Sequence, residues 1–158
     1  VKLKGARVIV SEPDEKRARL AKELGADVVI NPLETDPVEE VKKITERGAD
    51  VVFDTIAVSA VAKQAIEMTA PMGRCVIYTS MHPDNPVEIS AGRIHNTQMT
   101  ITGAVSPSIE SFATSVALLS KGIVKPECLV SEKIEYTKPN EAFEAAVRPD
   151  TYRVMMTF

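Results

Sequence analysis

The chain has 158 residues, 44% of them hydrophobic and 26% charged, with a net charge of −3 at pH 7. That length suits one domain able to bury about two-thirds of its unfolded surface, and the composition is that of an ordinary soluble globular protein. There is no basic run and there are only seven aromatic residues, four Phe and three Tyr, so no electrostatic footprint exists for nucleic acid. No apolar stretch approaches the ~20 residues of a membrane span.

The chain opens on Val1-Lys-Leu-Lys-Gly with neither an initiating Met nor a signal peptide. It reads as the tail of a helix with its Gly cap, part of something longer. A pattern then recurs. Gly5-Ala-Arg-Val-Ile-Val, Gly25-Ala-Asp-Val-Val-Ile, Gly48-Ala-Asp-Val-Val-Phe and Gly73-Arg-Cys-Val-Ile-Tyr each pair a glycine with an apolar run. Each glycine can end a helix in the left-handed conformation, and each run predicts a strand. The spacing of roughly 20 to 25 residues leaves room for one strand and one short helix per repeat. The runs are continuously apolar, as in strands covered on both faces, so the pattern predicts an α/β fold with a parallel sheet.

In chain order, Pro13-Asp14-Glu15 opens the first helix, with Leu20 and Leu24 on one face and Gly25 stopping it. Asp36-Pro37 opens the second as cap and first residue, and Val38, Val41 and Ile44 form its inner stripe. The third runs from about Ser59 to Thr69, with Val61, Ala65 and Met68 spaced for burial, and ends before Pro71. Residues 79–96 read mostly as irregular connection. Thr100 to Val105 predicts a short strand. Ser106 and Pro107 then open a helix with Ile109, Phe112, Val116 and Leu119 on one side, stopping at Lys121-Gly122. The tail reads as a strand (129–136), a short helix (140–147) and a final strand (153–158), outside the earlier period and so in another layer or domain. The division expected is residues 1–106 and 107–158.

Candidate chemistry is sparse. Val8 to Val10 end in Glu12 before the chain turns at Pro13. A carboxylate at a strand's C-terminal end can meet a ribose hydroxyl pair in a dinucleotide-binding fold, or it can be a solvated charge. His82 and His95 lie in loop-like sequence away from any acidic cluster, which argues against acid–base work. Asp54 at a strand end suits a turn or cap acceptor. Cys75 and Cys128 sit in apolar surroundings with no ligand at metal spacing, so a reduced, cytoplasmic setting is the simplest account and a zinc site within the chain is not expected.

In this order the chain resembles the C-terminal portion of the medium-chain, zinc-dependent alcohol dehydrogenases, on the polyol and threonine dehydrogenase side. The resemblance is carried by Gly5 to Glu12, by Lys16 to Asn31, by Asp50-Val-Val-Phe-Asp-Thr55, by Thr100-Ile-Thr-Gly-Ala-Val105 and by Tyr152-Arg-Val-Met-Met-Thr-Phe158. It runs nearly end to end.

The resemblance implies roles position by position. Glu12 would hydrogen-bond the adenosine ribose and favour NAD, since a 2′-phosphate would meet like charge. Arg17 would sit beside the same ribose, or be a solvated helix charge. Thr55 and Ile56 would wall the adenine pocket. Backbone at Tyr78 to Ser80, and at Val105 and Ser106, would meet the nicotinamide carboxamide. Arg153 would reach the pyrophosphate through a bidentate guanidinium contact. The Gly-x-Gly-x-x-Gly turn and the zinc-ligand domain of the family have no counterpart in these 158 residues.

In the doubly wound order 3-2-1-4-5-6, every strand but the first is expected, and the first lies between those ending at Glu12 and Thr55. Those neighbours would either close up and pair or leave open edges. Zinc is thus expected in the intact enzyme but not on this chain, and the chain alone is expected to be inactive. The substrate implied is a small alcohol or polyol. Thr100 to Val105 lies where the family's coenzyme domains pair into homodimers or homotetramers. Two alternatives remain: a zinc-free quinone or enoyl-type reductase, which Glu12 disfavours, and a non-enzymatic nucleotide-sensing module, which would not need Arg153.

Overall fold

The computed structural model describes all 158 residues, Val1–Phe158. They form two compact units, Val1–Val105 and Ser106–Phe158. The first contains β1 (Ile9–Ser11), α1 (Glu15–Glu23), β2 (Val28–Ile30), α2 (Pro37–Thr45), β3 (Ala49–Asp54), α3 (Ser59–Glu67), β4 (Thr69–Ile77), α4 (Ala91–Thr97) and β5 (Thr100–Gly103). The second contains α5 (Ile109–Ser120), β6 (Val130–Glu135), α6 (Pro139–Ala146) and β7 (Arg153–Thr157).

Strand and helix alternate, and every strand pair is parallel: β1 with β2, β3 with β4, β4 with β5, and β6 with β7. The α/β parallel class follows from the continuously apolar runs. The sheet is nevertheless divided, in orders β1-β2, β3-β4-β5 and β6-β7. Of the two outcomes open to β1 and β3, the structure takes the second: they do not pair, and each keeps an open edge.

Local rules account for most elements. Asp14 caps α1 by accepting the Arg17 N–H at 2.8 Å. Asp36 caps α2 by accepting the Val38 and Glu39 N–H groups, with Pro37 at the first helical position where no N–H is needed. Asp27 fixes the start of β1: its carboxylate accepts the Val8 N–H at 2.7 Å and pairs with Lys2 Nζ at 2.5 Å. The Lys2 ammonium, then the Val8 N–H, hold this carboxyl below its ordinary range. The surface ion pairs Lys42–Glu39, Lys43–Glu40 and Lys138–Glu141 are largely exposed. Such pairs contribute at most ~1 kcal/mol each, so burial decides the fold.

The core of the first unit is one cluster. Val52, Ala65, Ile66, Cys75 and Met99 are buried, with Ile77, Ile94 and Ile101 packed against them. It lies on the face of β3-β4-β5 that α3 and α4 cover. On the opposite face Val51 and Phe53 are 50% and 48% exposed. In the second unit Ala142 and Ala145 of α6 are buried, and Tyr136 stacks on Phe158 with ring centroids 5.1 Å apart.

Several expectations are corrected. Gly73 caps no helix: it lies inside β4, and a Cβ there would stand 2.8 Å from the Ala70 carbonyl oxygen and 3.0 Å from that of Asp50. Pro71 lacks an N–H and Met72 takes a φ of 61°, so the ladder skips from Thr69 opposite Ala49 to Arg74 opposite Val51. The buried stripe of α3 is Ala62, Ala65 and Ile66 rather than Val61, Ala65 and Met68, a rotation set by which side chains meet β3 and β4.

Residues 91–97, expected to be irregular, form α4, capped by Ser90 accepting the Arg93 N–H, so His95 sits on a helix. Arg93 then donates from Nη2 to the carbonyls of Ile66 and Glu67, tying α4 to the end of α3. Ser106 does not cap α5. It takes a φ of 57°, and Ser108 is the cap, accepting the Ser111 N–H at 3.2 Å. Cys128 is exposed, not packed in apolar surroundings.

The largest departure is in burial. A compact monomer of this mass would expose about 7,800 Å² and its unfolded chain about 25,000 Å². This chain exposes 11421 Å², so it buries a little over half of its unfolded surface rather than two-thirds. The stripe of α5 shows where the excess lies: Ile109, Phe112, Val116 and Leu119 are 84%, 62%, 47% and 46% exposed.

Gly48 is held at a φ of 107°, and a Cβ there would lie 2.6 Å from the Met68 carbonyl oxygen and 2.9 Å from the Ala70 nitrogen. Neither backbone atom can move without opening the start of the β3–β4 ladder. Gly48→Ala is expected to cost roughly 2–4 kcal/mol, read as a lower urea midpoint. An unchanged midpoint contradicts this close approach.

Candidate dinucleotide-binding rim

Parallel strands place all their C-terminal ends at one rim, and open α/β sheets bind ligands there. Asp54, Ile77 and Gly103 are aligned across β3, β4 and β5. The chain leaving each strand therefore supplies one part of the rim: Thr55 and Ile56 after β3, Tyr78 after β4, and Val105 after β5. Two backbone bonds set their height, Tyr78 N–H to the Asp54 carbonyl at 2.9 Å and Ala104 N–H to the Ile77 carbonyl at 3.1 Å. Ile56, Tyr78 and Val105 are 52%, 64% and 86% exposed, so their side chains project into open space rather than into the core.

Glu12 follows β1. Its N–H donates to the Ile30 carbonyl at 3.0 Å, and its Oε1 accepts the Asp14 N–H at 2.9 Å. A carboxylate offers about four lone-pair sites, so one local bond orients Glu12 and leaves acceptor capacity toward solvent. This is the form a diol would meet, two vicinal hydroxyls donating to one carboxylate. Arg17 stands in the first turn of α1, its N–H bonded to Asp14. The rim thus groups Thr55, Ile56, Tyr78 and Val105 on one sheet, with Glu12 at the end of the other sheet of the same unit. Ser106 and Arg153 belong to the second unit, Arg153 as the exposed first residue of β7.

The rim also holds a group whose environment the sequence did not announce. Asp54 is 2% exposed. Its Oδ1 accepts the Ile56 N–H at 3.3 Å, the turn role expected of it, but its buried Oδ2 has no hydrogen-bond partner. Burial pushes this carboxyl above the ordinary carboxylate range, against the smaller pull of the Ile56 N–H. Burial likewise raises the Cys75 thiol on the neighbouring strand, with the Asp54 charge adding to the rise. The only hint in the sequence is an acid closing an unbroken apolar run, Val51-Val-Phe-Asp54.

Nothing comparable surrounds the histidines. His82 and His95 are both exposed. No three His, Cys, Asp or Glu side chains come together as a metal set, so the residues present do not fit a zinc ion and no step through zinc is assigned to them. A cleft of about 430 Å³ lies between α3 and the approach to α4, lined by Lys63, Glu67, Glu88 and Arg93 among others. It is open and of mixed charge, and it is formed by helix surfaces rather than strand ends. No helix is long and apolar enough to cross a membrane.

The burial of Asp54 has a definite sign. A raised folded-state pKa means that its contribution to stability is fully present below the unfolded value near 3.8 and is lost as pH rises through the folded value. Asp54→Asn is therefore expected to raise the thermal midpoint at pH 7, with the advantage shrinking as pH falls toward 3.8. A variant less stable than the parent at pH 7 and equal to it in acid would show the opposite linkage.

Comparison with known proteins places this geometry in a family. The family described as zinc-binding dehydrogenase matches residues 1–121. L-threonine 3-dehydrogenase of Pyrococcus horikoshii is 34% identical over 140 residues, covering 87% of this chain and 40% of the relative. (R,R)-butanediol dehydrogenase of Neisseria gonorrhoeae is 29% identical over 150 residues, covering 93% and 42%. The crystal structure of 2R,3R-butanediol dehydrogenase from Bacillus subtilis superposes with a TM-score of 0.87 at 27% identity, over 99% of this chain and 45% of that one. The chain thus spans about two-fifths of the length of the curated relatives it matches. With parallel strands, an acid closing β1 and a match over most of its length, the chain belongs to the zinc-binding dehydrogenase family.

Proposed function

We propose that this chain is the NAD-binding part of a zinc-dependent oxidoreductase acting on the CH–OH group of a small alcohol or polyol. The observation that carries the reading is Glu12: a strand-end carboxylate, oriented by one backbone bond and open to solvent at the end of a parallel strand. The named relatives, which are dehydrogenases of threonine and of butanediol, support the class of substrate.

In this reading each residue has a physical task. Glu12 accepts from the ribose hydroxyls and repels a 2′-phosphate, which selects NAD over NADP. Arg17 neighbours the same ribose. Thr55 and Ile56 offer an apolar and hydroxyl wall to the adenine. Backbone groups at Tyr78 to Ser80 and at Val105 and Ser106 meet the carboxamide, so side-chain identity matters little there. Arg153, in the second unit, is assigned to the pyrophosphate on the resemblance of its sequence. The bound dinucleotide supplies the hydride acceptor, and the chain's share is orientation and electrostatics. Residues 1–106 form the dinucleotide-binding part and residues 107–158 the segment returning toward the catalytic part.

The free edge of β5, paired only with β4, is the segment we assign to homodimer or homotetramer formation. Free Cys75 and Cys128 suit the reducing cytoplasm.

Two experiments test the reading. In the intact dehydrogenase containing this chain, Glu12→Ala is expected to weaken NAD by roughly 10- to 100-fold, the worth of a hydrogen bond to a charged group, while NADP changes little. Unchanged affinities for both nucleotides would remove Glu12 from the site. The 158 residues alone, with no glycine turn for the pyrophosphate, are expected to give no calorimetric NAD binding at micromolar concentration. Micromolar affinity would show that the turn is dispensable.

A further inference from the structure

The cleft of about 430 Å³ between α3 and the stretch leading into α4 has a volume within the ~300–1,000 Å³ usual for small-molecule sites. Every residue lining it belongs to the first unit. Lys63, Ile66 and Glu67 stand at i, i+3 and i+4 on α3, so they share one face of that helix. Glu88, Ile89, Ser90 and Arg93 supply the other wall.

That second wall is anchored at several points. Val87 and Ile94, which bracket it in the chain, pack against the buried cluster of the first unit. The Ser59 hydroxyl donates to the Asn85 carbonyl at 3.1 Å, tying the start of α3 to the stretch entering the wall. Arg93 is half-buried, and its Nη2 donates to the carbonyls of Ile66, Glu67 and Thr69 at 3.2, 2.9 and 3.4 Å. These bonds fix the guanidinium plane, while its Nε and Nη1 donors have no acceptor in the chain.

Four charges meet in the cleft without neutralising one another. Lys63 and Arg93 are cationic, Glu67 and Glu88 are anionic, and no ion pair joins any two of them. Lys63 and Glu67 have the i, i+4 spacing at which Glu15 and Arg19 pair on α1. Their order on the helix, Lys before Glu, is the weaker one, which helps to keep them apart. Ile66, 5% exposed, and Ile89, 42% exposed, add hydrocarbon surface beside the charges. A simple anion here would meet two carboxylates, and a simple cation would meet Lys63 and Arg93. A ligand carrying both signs satisfies the whole set.

We propose that this cleft is a second small-molecule site, and that its ligand is a free α-amino acid with an apolar side chain. The carboxylate of the ligand accepts from Lys63 Nζ, from Nε and Nη1 of Arg93, and from the Ser90 hydroxyl, whose oxygen already accepts the Arg93 N–H at 3.2 Å. Its ammonium donates to Glu67 and Glu88, and its side chain lies on Ile66 and Ile89. The cleft shares no residue with the strand-end rim, so this inference and the dinucleotide reading fail separately.

The probe is L-leucine, titrated into the 158-residue chain at constant pH and ionic strength and followed by heteronuclear NMR. Backbone shifts are expected at Lys63, Glu67, Ser90 and Arg93, saturating with a Kd on the order of 1 mM, as suits a small ligand in an open cleft. Leucinamide lacks the carboxylate and isovalerate lacks the ammonium, so each is expected to bind about fivefold more weakly. Lys63 and Glu88 are exposed, so Lys63→Gln and Glu88→Gln are expected to keep the parent's thermal midpoint. Each is expected to weaken leucine about fivefold. The absence of a saturable shift, equal binding of leucinamide or isovalerate, or unchanged leucine affinity in both variants would each overturn the proposal. So would shifts confined to Glu12, Ile56 and Tyr78, which would put leucine at the rim instead.

Discussion

The parallel ladder β3-β4-β5, doubly paired at β4 and covered on one face by α3 and α4, is the constraint from which the rest of the first unit follows. A sheet strand with one free edge must leave its N–H and C=O groups to water, or find a partner. In the first unit β1, β2, β3 and β5 each have one such edge, and β4 alone is paired on both sides. Side-chain burial follows the same division. Val52 and Cys75 are sealed by α3 and α4, while Val51 and Phe53 on the other face are half exposed. The surface of 11421 Å² is the summed expression of these faces and of the uncovered stripe of α5.

The same constraint shapes the rim. Strand-end residues gain their positions from ladder bonds, as Tyr78 does from Asp54 and Ala104 from Ile77. Glu12 is positioned by its bonds to Ile30 and Asp14, on the smaller sheet. Asp54, on the edge strand, shows what an incompletely satisfied corner costs: one oxygen is held by Ile56 and the other is buried without a donor. An unpaired buried acceptor is expensive, typically about 1–3 kcal/mol, and the carboxyl answers by shifting toward its neutral form. A strained or unsatisfied polar group at the ligand-binding end of a sheet is a common signature of a site where stability has yielded to function.

Much of the fold was legible because the signals were local. Glycines at 5, 25 and 48 take positive φ values, as their places after helical turns require. Asp36-Pro37 opened α2 as cap and first residue, because those positions need a side-chain acceptor and no N–H. Where the reading failed, a longer-range contact had taken over. Gly73 looks like the other glycines in sequence, yet it is required by the approach of Ala70 and Asp50 within a bulged ladder. The helix α4 has a weak apolar stripe and depends on Arg93 reaching the end of α3. Ser106 and Ser108 are both plausible caps by residue type, and the left-handed turn at Ser106 decided for Ser108.

The sequence by itself determined the class of fold, the run of strands and helices, and Glu12 as the acid that closes a strand. These follow from periodicity and from residue types that act within a few positions of themselves. Tertiary structure alone decided that β1 and β3 stand apart, that one face of β3 lies open while the other is sealed, and that Asp54 is buried with an oxygen unsatisfied. Those outcomes depend on which strands find neighbours, and pairing joins residues far apart in the chain, beyond the reach of any local pattern.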